Sequence, residues 1–159
     1  MPLNTAVAAS IIESSYNTMI VEGLSFKTSY TSAWSDAYEA YSSTGICTIS
    51  KDPGPGDVIG STLLSMDDYS VANIDKLAQG FADYWSNSHL SPKSPAVSIS
   101  GNDASTKVNG FKLAIISAVA QELKTPPFKH LFDACDPVVK SIIWFGTNSS
   151  GNPITGTIS

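Results

Sequence analysis

The chain has 159 residues and a net charge of −5, with 42% hydrophobic residues and only 14% charged residues. That length is sufficient for one domain with a substantial core. All nine basic residues are Lys, and an acidic chain without Arg lacks the side chain that makes most bidentate contacts to guanine and phosphate, so we expect no nucleic-acid binding. A surface with few charges and many hydroxyls is typical either of a subunit that packs against neighbours or of a small domain with a Ser-rich surface.

Two helices are predicted at the N-terminal end. Asn4 is a suitable N-cap for a helix over residues 5–21, which places Ala8 and Ile12 on one face. A second helix over residues 26–41 carries aromatic side chains three and four residues apart, so that they share one stripe. Such a stripe is typical of a core or of a subunit interface, and these alternatives stay open. Its members are Phe26, Tyr30, Trp34, Tyr38 and Tyr41.

After these helices, the spacing of the apolar residues changes from the helical period to the alternation that is typical of extended chain. Residues 45–50 (GICTIS) read as a short strand, and the Pro- and Gly-rich residues 51–57 read as a flexible loop that no helix or strand tolerates. Ser70 is the N-cap of a third predicted helix over residues 71–85, whose apolar face includes Ile74, Leu77 and Phe81. Residues 95–100 (PAVSIS) alternate with period two and predict a second extended segment.

An αα-hairpin is predicted over residues 105–145. Residues 105–123 place Val108, Phe111, Ile115 and Val119 on one helix face, and Thr125 with the following Pro pair predicts a cap and reversal of the chain. Because Pro inside a helix costs about 3 kcal/mol, we expect the second arm to break at Pro137 into helices over 127–135 and 138–145.

The last residues, 146–159, predict an extended tail that is apolar only at Ile154 and Ile158. Its PITGTIS sequence is similar to the two predicted strands, so the tail is expected to pair either within this chain or with a neighbouring copy. Taken together, the patterns predict a mainly α single domain over residues 1–159, a bundle of five or six helices with a few short β segments. The candidate interface residues are the aromatic stripe together with Ile154 and Ile158.

No catalytic or metal-binding motif is present in the sequence. His130 is the one arguable base, and a His in that position is more often a structural residue. Cys47 and Cys135 are expected to be free buried thiols, with a disulfide between them as the alternative, and the two His are not spaced for a zinc site. We therefore expect no enzyme activity, no cofactor and no metal.

The N-terminal segment does not have the features of a targeting sequence. Its first basic residue is Lys27, and its apolar stretch is interrupted by Asn4, Thr5 and Ser10, so no secretory signal is expected. The longest apolar run, residues 113–116, is much shorter than a membrane span, and no membrane partner is expected either.

The C-terminal half of the sequence resembles a known class of protein. The segments FADYW (81–85), KVNGFKLAIISAVAQEL (107–123), PPFKHLFDAC (126–135) and VVKSIIW (138–144), in this order and before a Gly- and Thr-rich tail, resemble small virion structural proteins of tailed bacteriophages. The similarity covers roughly residues 74–159 and implies a non-enzymatic subunit of a neck, tail or baseplate.

Such a subunit would be made in the host cytoplasm and would contact copies of itself and other virion proteins. The alternatives are a cytosolic helical module that binds a peptide or small ligand, and a small hydrolase whose distant polar residues converge in a cleft.

Overall fold

The computed structural model describes residues 3–22, 26–43, 47–50, 53–87, 89–92 and 96–158. The helices of this part are α1 (Thr5–Glu22), α2 (Phe26–Ser43), α3 (Pro53–Ser65), α4 (Val71–Asn87), the 3-10 helix η1 (Ala104–Lys107), α5 (Val108–Ala118) and α6 (Lys129–Lys140). The strands are β1 (Cys47–Ser50), β2 (His89–Pro92), β3 (Val97–Asn102), β4 (Ile143–Asn148) and β5 (Pro153–Thr157). The predicted mainly α architecture with short β segments is confirmed.

Six α-helices in the described ranges form one closed bundle around one core. Each helix packs on the next one in sequence, and α6 returns to pack on α1. This holds also for α2 and α3, although β1 lies in the connection between them. Large aromatic side chains fill the interior. Trp34 stacks on Phe132 with ring centroids 5.3 Å apart, and Phe81 stacks on Phe111 at 5.5 Å. The core is therefore assembled from residues of both halves of the chain.

The predicted helix starts agree with the structure at two positions. Asn4 Oδ1 accepts a hydrogen bond from the Ala6 amide at 3.0 Å, which caps α1. Ser70 Oγ accepts one from the Asn73 amide at 3.4 Å, at the start of α4. Both caps satisfy amides that have no partner inside the helix.

Two small antiparallel sheets accompany the helices. Strands β1 and β2 pair with each other, and β3, β4 and β5 form a sheet in which β4 is central. The tail therefore pairs within its own chain through β5, and β3 carries a bulge between Ile99 and Gly101. Of the predicted strand over 45–50, residues 45 and 46 lie outside the described part.

The predicted flexible loop over 51–57 is wrong in most of its length, because α3 begins at Pro53. Lys51 and Asp52 lie outside the described residues. Pro53 and Pro55 are in the first turn of α3, where amides have no partner inside the helix, so the missing N–H groups cost nothing there. A proline-rich segment is therefore compatible with a helix start.

The predicted break at Pro137 is also wrong, since α6 continues through this residue to Lys140. The helix starts at Lys129, later than predicted, and the Pro126–Pro127 peptide in the preceding connection is cis. Pro137 lacks the N–H that would bond to the Asp133 carbonyl, but the last turn is closed by the Ser141 amide, which donates to the Pro137 carbonyl at 3.2 Å. Residues 143–145, predicted as helix, form the first half of β4, and their β-branched and aromatic side chains favour a strand.

Candidate assembly surface

The sheet of β3, β4 and β5 covers one side of the helical core and presents its second side to solvent. On the inner side, Trp144 is buried in the core, and Ile99 and Ile154 pack against it. Because successive side chains of a strand point to opposite faces, the residues between them share the other side. At the bulge of β3, Ser100 and Gly101 both belong to this side. We call this side the outer face; it consists of Ser98, Ser100, Gly101, Ile143, Phe145, Thr147, Pro153, Thr155 and Thr157.

The outer face contains no charged residue. The nearest acid, Asp103, lies where the ladder continues beyond β3 and accepts a hydrogen bond from the Ile143 amide at 2.8 Å. Lys107 Nζ approaches Asp103 at 3.3 Å and balances its charge. Asp103 therefore holds the end of β4 in place, and the strands themselves offer only hydroxyl, proline, glycine and apolar groups.

Two large apolar side chains of the outer face remain in contact with water. Phe145 is 43% exposed and Ile143 is 39% exposed. They alternate with the buried Trp144 on β4, the central strand. Phe145 lies in the middle of the face, and Ile143, the first residue of β4, lies at one end of it beside Asp103. Large apolar groups at the centre of an uncharged surface are typical of a contact with another protein.

A second exposed apolar pair lies on α5. Leu113 is 60% exposed and Ile116 is 48% exposed, and their spacing of three residues makes them neighbours on the helix surface. The opposite side of α5 carries the buried Phe111 and Ile115. The helix is thus apolar on both sides, as expected for a segment with more apolar residues than one core face requires.

Part of the predicted aromatic stripe lies inside the chain. Trp34 and Tyr41 are buried in the core, where the Trp34 ring meets Phe128 edge to face at 5.8 Å. As interface residues, these two predictions are corrected, because a ring fully packed by its own chain has no surface for a partner. The side chains of Phe26, Tyr30 and Tyr38 lie outside what the structure describes, although their backbone belongs to α2.

The predicted tail residues also face inward. Ile158 is buried in the core and Ile154 is half-buried against it. The indole Nε1 of Trp144 donates a hydrogen bond to the Thr157 carbonyl at 3.0 Å, which fixes the tail over the core. The tail contributes its Thr side chains to the outer face instead of its isoleucines.

Sequence reasoning missed Ile143 and Phe145 because it assigned them to a helix. The signal that identifies them is the alternation of Ile143, Phe145 and Thr147 with Trp144 and Gly146, which gives two different faces only in a strand. Leu113 and Ile116 were also missed, because an apolar helix segment does not show which of its sides meets the core.

A polar cluster joins the connection before α4 to the connection after α5. The Tyr69 hydroxyl donates to Glu122 Oε1 at 2.6 Å and accepts from the Leu123 amide at 3.2 Å, and Lys124 Nζ donates to the Met66 carbonyl. A cavity of about 120 Å³ lies between these groups. These hydrogen bonds join the two connections, so the cluster is a structural tether between two loops.

Electrostatics in this cluster follow from the same contacts. The hydrogen bond from Tyr69, with one from the Lys124 amide, lowers the pKa of the Glu122 carboxyl. Partial burial and the hydrogen bond to Glu122 raise the pKa of the Tyr69 hydroxyl. Both shifts favour the protonated phenol beside the ionised carboxylate, which is the pair that forms the hydrogen bond.

Two candidate reactive groups, the Cys135 thiol and the His130 imidazole, are enclosed by the chain. Burial raises the pKa of the Cys135 thiol, which is free and fully enclosed, so its thiolate is disfavoured. Both ring nitrogens of His130 are buried and have no hydrogen-bond partner among the described residues. No group of three or more His, Cys, Asp or Glu in the described ranges is placed to hold a metal ion.

No helix in the described part of the chain has both the length and the apolar character that crossing a membrane requires. Comparison of the chain with protein-family models, with curated proteins and with solved structures found no match.

Proposed function

We propose that this chain is a non-enzymatic structural subunit of a tailed-phage virion, in the neck, tail or baseplate, and that it works through protein–protein contacts. The observation that carries the proposal is the outer face, an uncharged sheet surface with Phe145 exposed at its centre and Ile143 exposed at one end. Its partners are copies of the same chain and other virion proteins. The resemblance of residues 74–159 to virion proteins supports the choice of particle.

The free energy available at the outer face supports a binding role. Full burial of a Phe or Ile side chain is worth about 1.5–3 kcal/mol. Phe145 is 43% exposed and Ile143 is 39% exposed, so somewhat less than half of this is still available to a partner. The exposed pair on α5, Leu113 and Ile116, adds a second surface of the same kind. Two separate apolar surfaces suit a subunit that touches more than one neighbour.

Low charge supports the same role. With 14% charged residues, the chain has few charged groups that a contact between subunits would have to remove from water. Some charges of the described helices are also paired within the chain, as in the Lys112–Asp75 ion pair of 2.7 Å that joins α5 to α4. The remaining surface is suited to close packing with other subunits.

Mass spectrometry of purified virions tests the proposal directly. We expect peptides of this chain in particles that encode it, in stoichiometric amounts and resistant to a high-salt wash. Its absence from washed particles would refute the proposal. Light scattering on the isolated chain gives a second test, since a subunit is expected to oligomerise or to assemble on a particle.

The second candidate is a cytosolic helical module that binds a peptide or small ligand. A groove of about 540 Å³ favours it, and the described residues that line this groove are Ser61, Thr62, Leu64 and Ser65 of α3. Helix α3 packs on α2, the helix with the aromatic residues. A chain that stays monomeric at all concentrations and binds a ligand whose affinity falls in a Leu64→Ser variant would favour this module over the virion subunit.

A further inference from the structure

The middle row of the outer face has a projection, the Phe145 ring, beside a hollow, the open space over Gly101. Phe145 on β4 is directly opposite Gly101 on β3, so both belong to the same face. A Cβ placed on Gly101 would meet no atom within 4 Å, which means that the Phe145 ring does not lie over this glycine. An exposed aromatic ring therefore stands next to an open space of the sheet.

A surface that has both a projection and a hollow can pack on the same surface of a second copy. In a two-fold symmetric contact, the same surface of both copies meets, and residue i of one copy contacts residue j of the other while j contacts i. Phe145 of each copy would then fill the space over Gly101 of the other. The partner needs no different surface, because the middle row of each copy supplies both the projection and the hollow.

Hydrogen-bonding groups of the outer face are also self-complementary. Ser98, Thr147 and Thr155 are exposed around the Phe145 ring, and a hydroxyl both donates and accepts. Two identical hydroxyl surfaces can therefore pair, whereas two identical carboxylate or ammonium surfaces repel each other.

Net charge limits where two copies of this chain can meet. Each copy carries a net charge of −5, so contacts that bring acidic regions together are disfavoured. The outer face has no carboxylate within its strands, and the adjacent Asp103 is paired with Lys107. A partner chosen by charge, such as a basic protein, would find no complementary group there, whereas an identical copy needs none.

We propose that the outer face of the β3–β4–β5 sheet packs on the same face of a second copy about a two-fold axis, with the Phe145 ring of each copy seated over Gly101 of the other. The inference names the partner of the surface used in the proposed function and, in that sense, rests on it. It adds the symmetry of the contact and the two residues that determine its fit.

The size of the face sets the strength of this contact. Three strands at the standard spacing and rise give a face of about 250 Å². Stable dimers bury about 800 Å² per partner, so the contact is weak and reversible in solution. In a multi-copy assembly, additional contacts raise the effective concentration and make such a face sufficient.

Sedimentation velocity on the purified chain tests the inference. We expect a monomer–dimer equilibrium with a Kd between about 10 µM and 1 mM. Phe145→Thr removes the projection, and Gly101→Thr fills the hollow with a residue type that the face already contains. Each is expected to raise the Kd at least about tenfold, as for the loss of a central aromatic anchor.

Gly101→Thr tests the fit more specifically, since it blocks the hollow with an added side chain and removes no apolar group. The open space around Gly101 and its φ outside the left-handed region allow the added side chain without strain in the monomer. Leu113→Thr is the matched control, because it removes a more exposed apolar side chain elsewhere and is expected to leave the Kd within about twofold. Thermal unfolding of each variant shows that it is folded.

Two outcomes would overturn the inference: a wild-type chain that is monomeric up to about 1 mM, or a Gly101→Thr variant that dimerises like the wild type. Neither depends on the result with virions. Particles that contain a chain monomeric in solution would refute the dimer alone, and a dimer absent from particles would refute the virion function alone.

Discussion

The indole of Trp144 lies directly over Gly156. These residues are opposite each other on β4 and β5, and a Cβ on Gly156 would come within 2.6 Å of Trp144 Cζ2. The same indole donates its Nε1 hydrogen to the Thr157 carbonyl. Trp144 therefore holds the tail by a ring contact that only glycine permits and by one hydrogen bond.

Gly156→Ala is expected to destabilise the protein. The added methyl has to displace the Trp144 ring, and overpacking of this kind costs about 1–3 kcal/mol. Chemical denaturation measures the loss in the free energy of unfolding. Gly101→Ala is the matched control, because its Cβ meets no atom within 4 Å, and its expected change is within about 0.5 kcal/mol. Equal losses in the two variants would contradict the contact between Trp144 and Gly156.

Tyr41→Phe is expected to reduce stability more than Tyr69→Phe does. The buried Tyr41 hydroxyl donates to Asp136 Oδ1 at 2.6 Å, and this carboxylate is also bound by Lys140. Loss of the hydroxyl leaves the carboxylate one partner short in a largely buried site, at a cost of about 1–3 kcal/mol. The Tyr69 bond to Glu122 is exposed to water and is worth less. Denaturation of both variants under one set of conditions measures the difference, and a larger loss for Tyr69→Phe would contradict it.

Helix positions could be predicted from the sequence where a cap marks the start. Asn4 and Ser70 accept the expected amides, and α1 and α4 begin where predicted. Proline was misleading at two positions where it was predicted to exclude a helix, since Pro53 starts one and Pro137 lies within one. The effect of a proline depends on its distance from the helix end, and the local sequence does not fix that distance.

The surface was harder to predict than the fold. Regular spacing shows that Trp34 and Tyr41 share one side of α2, but it does not show what covers that side, and in the structure the core does. Ile143 and Phe145 were missed because a short apolar run is compatible with a buried helix or a strand. Pairing with β3 and β5 makes this run a strand, and part of that pairing involves residues distant in sequence.

Acid is expected to weaken the tether between Tyr69 and Glu122. Because the pKa of Glu122 is lowered in the folded state, its contribution to stability is complete above its usual pKa of 4.5 and is lost as the pH falls through the folded pKa. Denaturation of wild type and Tyr69→Phe between about pH 6 and pH 3 tests this, since the two free energies of unfolding should converge as Glu122 is protonated. A difference that stays constant through this range would show that the carboxylate is not the partner of Tyr69.

Alkaline pH is expected to destabilise the protein through Cys135. Burial raises the pKa of this thiol above its usual value of 9.0, so above that pH the thiol ionises in the unfolded chain and stays protonated in the folded one. Stability is thus complete below pH 9.0 and falls as the pH rises, by up to about 1.4 kcal/mol per pH unit for one group. The Tyr41 hydroxyl, whose pKa burial and Asp136 also raise, adds a second fall above its usual 10.0. Cys135→Ala should therefore have a shallower decline than the wild type between these two values, and parallel curves would show that Cys135 ionises equally in both states.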